Sequence, residues 1–443
     1  MSTFQRTAAA ILALSLHPRG AAAFLLLALL SCGGEKRKTE GQVSLTLYHW
    51  MEKDRKLWEE QILKPFQAAH PGVTVTLQTS PYPLYVTKSL TSIASGGHLA
   101  DLMFAEDWFG QELIQKQYAL NLMPYVRRDI APGEFYDETF TEWRGVAQRE
   151  DELYGFPACL GLTVLFYNKA LFDRGALSYP DTTWTYDDLI RVGKKLTIDQ
   201  NADGIPDQWG LTFDVQYTGL ETVLYTLGGR LLTADSRHAS LQEPPTLKAL
   251  HFIQDLFQKE RIASTTTSLV TTWQSFIAQR SAMILIGSHG AINLEGTSLR
   301  WDLTYPPKAS DGRRMSRRFT MAFMIPKNSP HPEEAWELLR WILTKSPPEQ
   351  ISTQYSGMMP TYRPATASGA WLNTPPVHNR HLLVELEKGY SFPLFTPGWQ
   401  EWRDNNLTPE ILQMIQGKKS VEQFAADAGR RINAVLDRAY QAR

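Results

Sequence analysis

The chain has 443 residues, of which 43% are hydrophobic and 21% are charged. This length exceeds what one compact core usually holds, so it predicts two or three domains, and a division into two lobes fits it best. The composition argues against a disordered or collagen-like chain, and the net charge of -1 at pH 7 argues against nucleic-acid binding, which normally needs a basic excess.

The first 31 residues predict a secretory signal peptide. Arg19 precedes an apolar run, residues 21–30, that is too short to span a bilayer as a permanent helix. The next residues, Ser31 and Cys32, complete a sequence similar to the bacterial lipobox, in which the signal is cut before a cysteine that carries a lipid. The alternatives are cleavage without lipidation and an N-terminal anchor. Residues 32–42 are polar and rich in glycine, which is typical of a flexible tether.

The chain has two cysteines, Cys32 and Cys159. With Cys32 lipidated, no internal disulfide is expected in the mature protein. Cys159 has apolar neighbours and no accompanying His and acid pattern, so the sequence predicts a small buried residue rather than a nucleophile.

Strand and helix patterns alternate after residue 42. Alternating apolar residues predict strands over 43–50, 73–77 and 100–105, and apolar residues at helical spacing predict helices over 53–69 and 85–95. This order is typical of an α/β lobe with a mainly parallel sheet.

Ligands of open α/β sheets bind outside the carboxyl ends of the strands, and Trp50, Asp107 and Trp108 follow two such ends. Aromatic rings beside carboxylates suit sugar recognition, because the rings stack on C–H faces and the carboxylates accept bonds from hydroxyl groups. The alternative for each tryptophan is packing in the core.

The stretch from Tyr154 to Leu171 predicts a strand that crosses between two compact bodies. Pro157 fixes its own φ and favours extended geometry at the residue before it. A short alternating run then ends at Tyr167 and Asn168, which would place an aromatic ring and an amide at a cleft. The alternative is a buried strand followed by a turn. Further helices are predicted over 187–196, 220–227 and 420–442.

Residues 199–207 match the spacing of oxygen ligands in a calcium loop. The candidate ligands are Asp199, Asn201, Asp203, the Ile205 carbonyl and Asp207. Gly210 occupies the twelfth position and offers no carboxylate, so a remote Asp or Glu would have to complete the shell. The alternative is a solvated turn of Asx and glycine residues. Any bound ion is expected to be structural.

Motifs of common cofactor and nucleophile sites are absent from the sequence, including His-containing metal motifs, GxGxxG after a strand, GxxxxGK[ST] and GxSxG. No cofactor is therefore expected, apart from a possible structural calcium ion. A catalytic carboxylate pair of the glycosidase type stays an open alternative, because the two carboxylates need to be close in space and not in sequence.

The order of several segments resembles the extracellular solute-binding proteins of bacterial ABC importers, family 1, of the maltose and glycerol-3-phosphate type. These segments are LYHW, ILKPFQAAHPGVTV, GGHLADLMFAEDWF and YGFPACLGLTVLFYNKALF, followed by WTYDDL, WQSF, MILIGSH, AFMIPKNSPHPEEAW and MMPTYR. The resemblance covers nearly everything after residue 42.

The resemblance implies two hinge-linked α/β lobes of the type II periplasmic-binding-protein fold. Lobe one would hold residues 43–156 and 291–345, and lobe two residues 157–290 and 346–443. A ligand would lie between the lobes, and the implied contacts are Trp50, Asp107, Trp108, Tyr167, Asn168, Tyr225, Gly228, Gly229, Trp273, Ser288 and Trp399.

The implied function is capture of a carbohydrate or polyol derivative and its delivery to an ABC transporter permease. The protein would be an exported monomer without catalytic activity, anchored through lipid on Cys32 at the periplasmic or extracytoplasmic face. The alternatives are a secreted carbohydrate-active hydrolase and the binding component of a sensor system.

Overall fold

The computed structural model describes residues 42–50, 55–131, 148–149, 151–215, 218–264, 269–345, 358–367, 369–372, 378–387, 391–392 and 396–441. The predicted signal peptide, Cys32 and all but the last residue of the predicted tether lie outside these residues. Within the described ranges, no helix combines the length and apolar character needed to span a membrane.

Thirteen strands are described. They are β1 (Val43–His49), β2 (Val73–Thr79), β3 (Leu102–Glu106), β4 (Gln148–Arg149), β5 (Glu152–Leu153), β6 (Phe156–Asn168), β7 (Trp209–Phe213), β8 (Ala263–Ser264), β9 (Ser281–Gly287), β10 (Trp301–Thr304), β11 (Ser316–Met324), β12 (Met359–Pro360) and β13 (Ser391–Phe392).

Helices connect most of these strands. Three helical segments follow one another without a break near the N-terminus, Arg55–Leu57, Trp58–Leu63 and Lys64–Ala69, and the middle one is a π-helix. The others are Tyr82–Ala94, Asp107–Gln115, Met123–Asp129, Lys169–Arg174, Tyr186–Leu196, Thr218–Thr226, Pro244–Gln258, Leu269–Ile277, the 3-10 helix Ser288–Leu294, Pro332–Thr344, Arg363–Thr366, Gly369–Leu372, Arg380–Glu387, the π-helix Glu401–Leu407, Thr408–Ile415 and Val421–Gln441.

One continuous sheet runs through the protein in the order β2-β1-β3-β11-β6-β9-β7-β8, and β4 pairs separately with β5. β1 is parallel to β2 and β3, and β7 is parallel to β8 and β9. The long central strands β6 and β11 are antiparallel to each other. The mainly parallel α/β pattern predicted near the N-terminus is thus present, and antiparallel strands join it to the second half.

Strand β6 connects the two halves of the sheet, and all 13 of its residues are buried. Its residues up to Leu162 pair with β11, whereas Thr163–Tyr167 pairs with β9. We call the part built on β1, β2, β3 and the start of β6 lobe one, and the part built on the end of β6, β7, β8, β9 and β10 lobe two. The predicted crossing strand is therefore present.

The strand pairing departs from the predicted lobe boundaries in two places. β6 changes partners at Leu162 and Thr163, some six residues after the predicted boundary at residue 156. β10 lies within residues 291–345, which the resemblance places in lobe one, but it pairs with Leu165–Asn168 at the lobe-two end of β6. The chain returns to lobe one along β11, because β11 pairs with both β6 and β3.

The C-terminal helix Val421–Gln441 forms as its pattern predicts. Its buried stripe consists of Val421, Phe424, Ala425, Ala428, Gly429, Ile432, Val435 and Leu436. At its N-terminus, the Gln423 amide donates to the Ser420 Oγ at 3.1 Å, and the Ser420 amide donates to the Gln423 Oε1 at 3.2 Å. This reciprocal pair is a capping box, which satisfies two helix-end donors. Gln254 donates to the Met414 carbonyl at 2.9 Å, which ties the C-terminal helices to lobe two.

Candidate ligand-binding site

The carboxyl end of β3 places the side chains of Glu106, Asp107 and Trp108 at the edge of lobe one. Glu106 ends the strand in extended geometry, and Asp107 begins the next helix. The Glu106 Oε2 accepts hydrogen bonds from the Tyr82 hydroxyl and from the Trp108 Nε1, both at 2.9 Å. Burial and the neighbouring Asp107 carboxylate raise the pKa of Glu106. Tyr82 and Trp108 thus orient the carboxylate of Glu106 by two hydrogen bonds.

Arg317 forms ion pairs with Asp107 of lobe one and with Glu221 of lobe two. The Asp107 Oδ2 lies 2.8 Å from the Arg317 Nη1, and the Arg317 Nε lies 2.9 Å from the Glu221 Oε2. All three side chains are at most 4% exposed. Asp107 belongs to lobe one and Glu221 to the lobe-two helix Thr218–Thr226. Burial raises the pKa of Glu221 to about 7, despite the opposing attraction of Arg317.

Two tryptophans from different lobes meet beside these charges. The rings of Trp108 and Trp399 are stacked, with centroids 5.6 Å apart and an interplanar angle of 25°. The guanidinium of Arg403 lies 3.8 Å from the centroid of Trp399. The Trp399 Nε1 is buried and has no hydrogen-bond partner among the residues that the structure describes. A sugar ring inserted between the tryptophans would need van der Waals contacts of about 3.5–4.0 Å on each side, so the rings must separate to admit one.

Trp50 extends the aromatic surface on lobe one. It lies at the end of β1, partly exposed, stacked at 5.2 Å on Phe104 and edge-on to Tyr82 at 5.3 Å. Tyr82 connects this ring to Glu106 and Trp108. The structure therefore brings Trp50, Asp107, Trp108 and Trp399 into one region.

Tyr225 lies in the same lobe-two helix as Glu221. It is partly exposed and follows Glu221 by one helical turn, and burial raises its pKa to about 12. Gly228 and Gly229 end the same segment. Gly228 has a φ of +89°, and a Cβ there would lie 2.9 Å from the Arg313 Nη1. At Gly229 a Cβ would lie 2.9 Å from the Thr246 Cα, so this glycine permits close packing of two helices.

Tyr167 and Asn168 lie away from the lobe junction. They end β6 about 17 Å beyond its change of partner, because a strand rises about 3.3 Å per residue. The Asn168 Oδ1 accepts from the amides of Ala170 and Leu171 and caps a helix. The predicted position of these two residues at the cleft is therefore not what the structure shows, and the alternative of a buried strand followed by a turn describes them.

Trp273 and Ser288 are also buried. Trp273 packs edge-on against Phe166 at 5.2 Å, and its ring lies so close to Gly290 that a Cβ there would be 1.7 Å away. Ser288 lies at the lobe junction, where its Oγ accepts from the Leu162 amide at 3.3 Å. Their roles as ligand contacts stay predictions.

Sequence reasoning missed four members of this region, Tyr82, Glu221, Arg317 and Arg403. A usable signal was present for Arg317 alone. Arg317 and Arg318 lie in the strand-forming run 316–324, and an arginine in a buried strand requires acidic or carbonyl partners. The sequence gives no indication of which carboxylates these are.

In the loop of residues 199–207, the side-chain oxygens of the candidate calcium ligands accept hydrogen bonds from backbone amides of the same loop. Asp199 accepts from the Gly204 amide, Asn201 from the Asp203 amide, Asp203 from the Ile205 amide and Asp207 from the Gln200 amide, at 2.8–3.0 Å. Across the described ranges, no group of three or more His, Cys, Asp or Glu side chains is placed to hold a metal ion. These contacts favour the alternative of an Asx and glycine turn.

Residues 51–347 match the family of bacterial extracellular solute-binding proteins, and the chain belongs to that family. The predicted family is thereby confirmed. A putative binding protein of Brucella abortus (strain 2308) is 24% identical over 407 residues, which cover 89% of this chain and 93% of the relative.

Two solved structures share the fold. The ABC substrate-binding protein from Listeria monocytogenes in complex with cycloalternan has a TM-score of 0.79 and 20% identity, over 89% of this chain and 99% of that one. The maltose/maltodextrin-binding domain from Bdellovibrio bacteriovorus bound to maltotriose has a TM-score of 0.73 and 19% identity, over 90% and 100%. The predicted two-lobe α/β fold is confirmed.

Proposed function

We propose that this protein captures a carbohydrate between its lobes and delivers it to an ABC transporter. The observation that carries the proposal is the stacking of Trp108 from lobe one on Trp399 from lobe two, beside the carboxylate of Glu106 that Trp108 hydrogen-bonds. Aromatic faces bind the C–H surfaces of sugars, and carboxylates accept hydrogen bonds from hydroxyl groups. The two structural relatives bound to cycloalternan and to maltotriose support the same class of ligand.

Binding would proceed by movement of the lobes. In the open arrangement Trp108 and Trp399 would lie apart, and the lobes would then close with the ligand stacked between their faces, while Glu106 and the Trp399 Nε1 would supply hydrogen bonds. A ligand that contacts both lobes stabilises the closed arrangement by its differential affinity for it. No bond is made or broken, and the closed lobes would present the surface that the permease recognises.

The proposal includes export and a lipid on Cys32. Metabolic labelling with a fatty acid tests it: the wild type is expected to incorporate label and remain with the membrane fraction, and Cys32→Ser to do neither. An unlabelled wild type recovered from the soluble fraction would refute the anchor without bearing on ligand capture.

A thermal-shift screen with product analysis tests the ligand class. The probes are neutral mono- and oligosaccharides, polyols and glycerol phosphodiesters, added to the purified protein. A ligand raises Tm by mass action because it binds the folded state, and it should be recovered intact. Recovery of a cleaved product would identify a hydrolase, and the absence of any shift would refute carbohydrate capture.

Trp399→Ala is the matched binding variant. Loss of a stacking surface is expected to raise Kd by about 10- to 100-fold. Trp301→Ala serves as the control, because Trp301 is partly exposed in β10 and contacts Phe166 in lobe two. An equal change in both variants would contradict the assignment of the site. Uptake measurements in a strain lacking the protein separate transport from sensing, since loss of import is expected only for transport.

A further inference from the structure

We propose that Arg317 is a positioning residue that ties lobe one to lobe two, by joining Asp107 to Glu221, and so sets how far the lobes close. This inference rests on the proposed ligand capture, because closure of the lobes is the step that retains the ligand. Arg317 acts through the two carboxylates rather than by touching the ligand.

Arg317 is fixed to lobe two. Its backbone amide donates to the Thr222 Oγ1 at 3.1 Å, and the amide of Met315, two residues before it, donates to the Thr226 Oγ1 at 3.0 Å. Both threonines lie in the helix that carries Glu221. Arg317 and Glu221 therefore move as one unit, and within this trio of charges the bond from Arg317 to Asp107 spans the lobes.

The hinge lies next to this contact. Phe319 follows Arg317 by two residues and packs on Gly161 of β6. Gly161 directly precedes Leu162, the last residue of β6 that pairs with β11 before the strand pairs with β9. Rotation about this point moves the helix Asp107–Gln115 relative to the helix Thr218–Thr226. Opening would break the Asp107–Arg317 pair and leave the Arg317–Glu221 pair intact.

The charge balance explains why an arginine is needed. Closing the lobes brings Asp107 and Glu221 to the same buried guanidinium, and each of the three side chains is at most 4% exposed. Without Arg317, two carboxylates would approach each other away from water, which opposes closure. Burial, with a contribution from Asp107, raises the pKa of Glu221, which agrees with crowding of negative charge here.

Small-angle X-ray scattering without ligand tests the tie directly. Asp107→Asn and Arg317→Gln are expected to increase the radius of gyration. Glu221→Gln is expected to keep the wild-type value, because the Asp107–Arg317 pair remains. The control is Glu385→Gln, which weakens a buried pair with Arg314 that lies within lobe two, at 3.3 Å and with 6% and 2% of the side chains exposed. It should lower Tm without changing the scattering.

Ligand titration supplies a second readout. With a ligand from the screen, Asp107→Asn is expected to raise Kd about tenfold, and at saturating ligand its scattering should return to the closed wild-type curve. Failure to close at saturation would show that Asp107 acts as a ligand contact and would overturn the positioning role. An unchanged radius of gyration in both Asp107→Asn and Arg317→Gln would overturn the tie. The comparison without ligand is independent of the proposed function, so failure of the carbohydrate screen leaves this test decisive.

Discussion

Replacing Gly161 with alanine tests the packing of the hinge. A Cβ at this position would lie 2.2 Å from the Phe319 Cζ and 2.8 Å from the Met358 Sδ, whereas ordinary contacts begin at 3.4 Å. The Phe319 ring must therefore retreat by about 1 Å. Overpacking of this kind costs about 1–3 kcal/mol. Replacing glycine with alanine also lowers the conformational entropy of the unfolded chain, which stabilises the folded state by about 0.4–1 kcal/mol. We expect a net loss of about 1–2 kcal/mol.

Thermal unfolding measures this loss, and the expected decrease in Tm is about 1–2 °C, because the entropy of unfolding of a chain of this length is about 0.9 kcal/mol/K. Gly175→Ala is the control, because its Cβ would meet the flexible end of Leu177 at 3.1 Å, and its Tm should change little. The decisive comparison is a double-mutant cycle with Phe319→Leu, in which Gly161→Ala should cost much less. An equal cost with and without the Phe319 ring would refute the reasoning.

Three further predictions follow from local geometry. Burial raises the pKa of Glu221 from 4.5 to about 7, so the native state binds its proton more tightly than the unfolded state, and stability is lost as pH rises through this window. Glu221→Gln should remove this pH-dependent loss of unfolding free energy, which amounts to up to about 3 kcal/mol. Denaturant unfolding at pH 5 and pH 8 measures it, and an equal change with pH in the wild type and the variant would contradict the prediction. Thr185→Ala removes a capping box with Asp188 and should cost about 1 kcal/mol, whereas a loss below about 0.3 kcal/mol would show that the cap contributes nothing. Calcium added after chelation should leave Tm unchanged, since the side-chain oxygens of residues 199–207 accept backbone amides, and a rise would establish an ion there.

Local patterns in the sequence predicted most of the secondary structure. The strand over 43–50 is observed as Val43–His49, and the helices predicted over 187–196 and 420–442 are observed as Tyr186–Leu196 and Val421–Gln441. These elements were predictable because periodicity and caps depend on residues a few positions apart. The site was predicted in part, because Trp50 and residues 107–108 follow strand ends.

The sequence by itself determined the strands, the helix ends and the apolar run that becomes β6. The tertiary structure decided where β6 changes partners, and hence that Tyr167 and Asn168 lie far from the junction of the lobes while Trp399 stacks on Trp108. It also decided that Arg317 pairs with Asp107, 210 positions away, and with Glu221, 96 positions away. The physical reason is that a buried arginine requires opposite charge but accepts any carboxylate, so only the closure of two lobes selects which ones it meets.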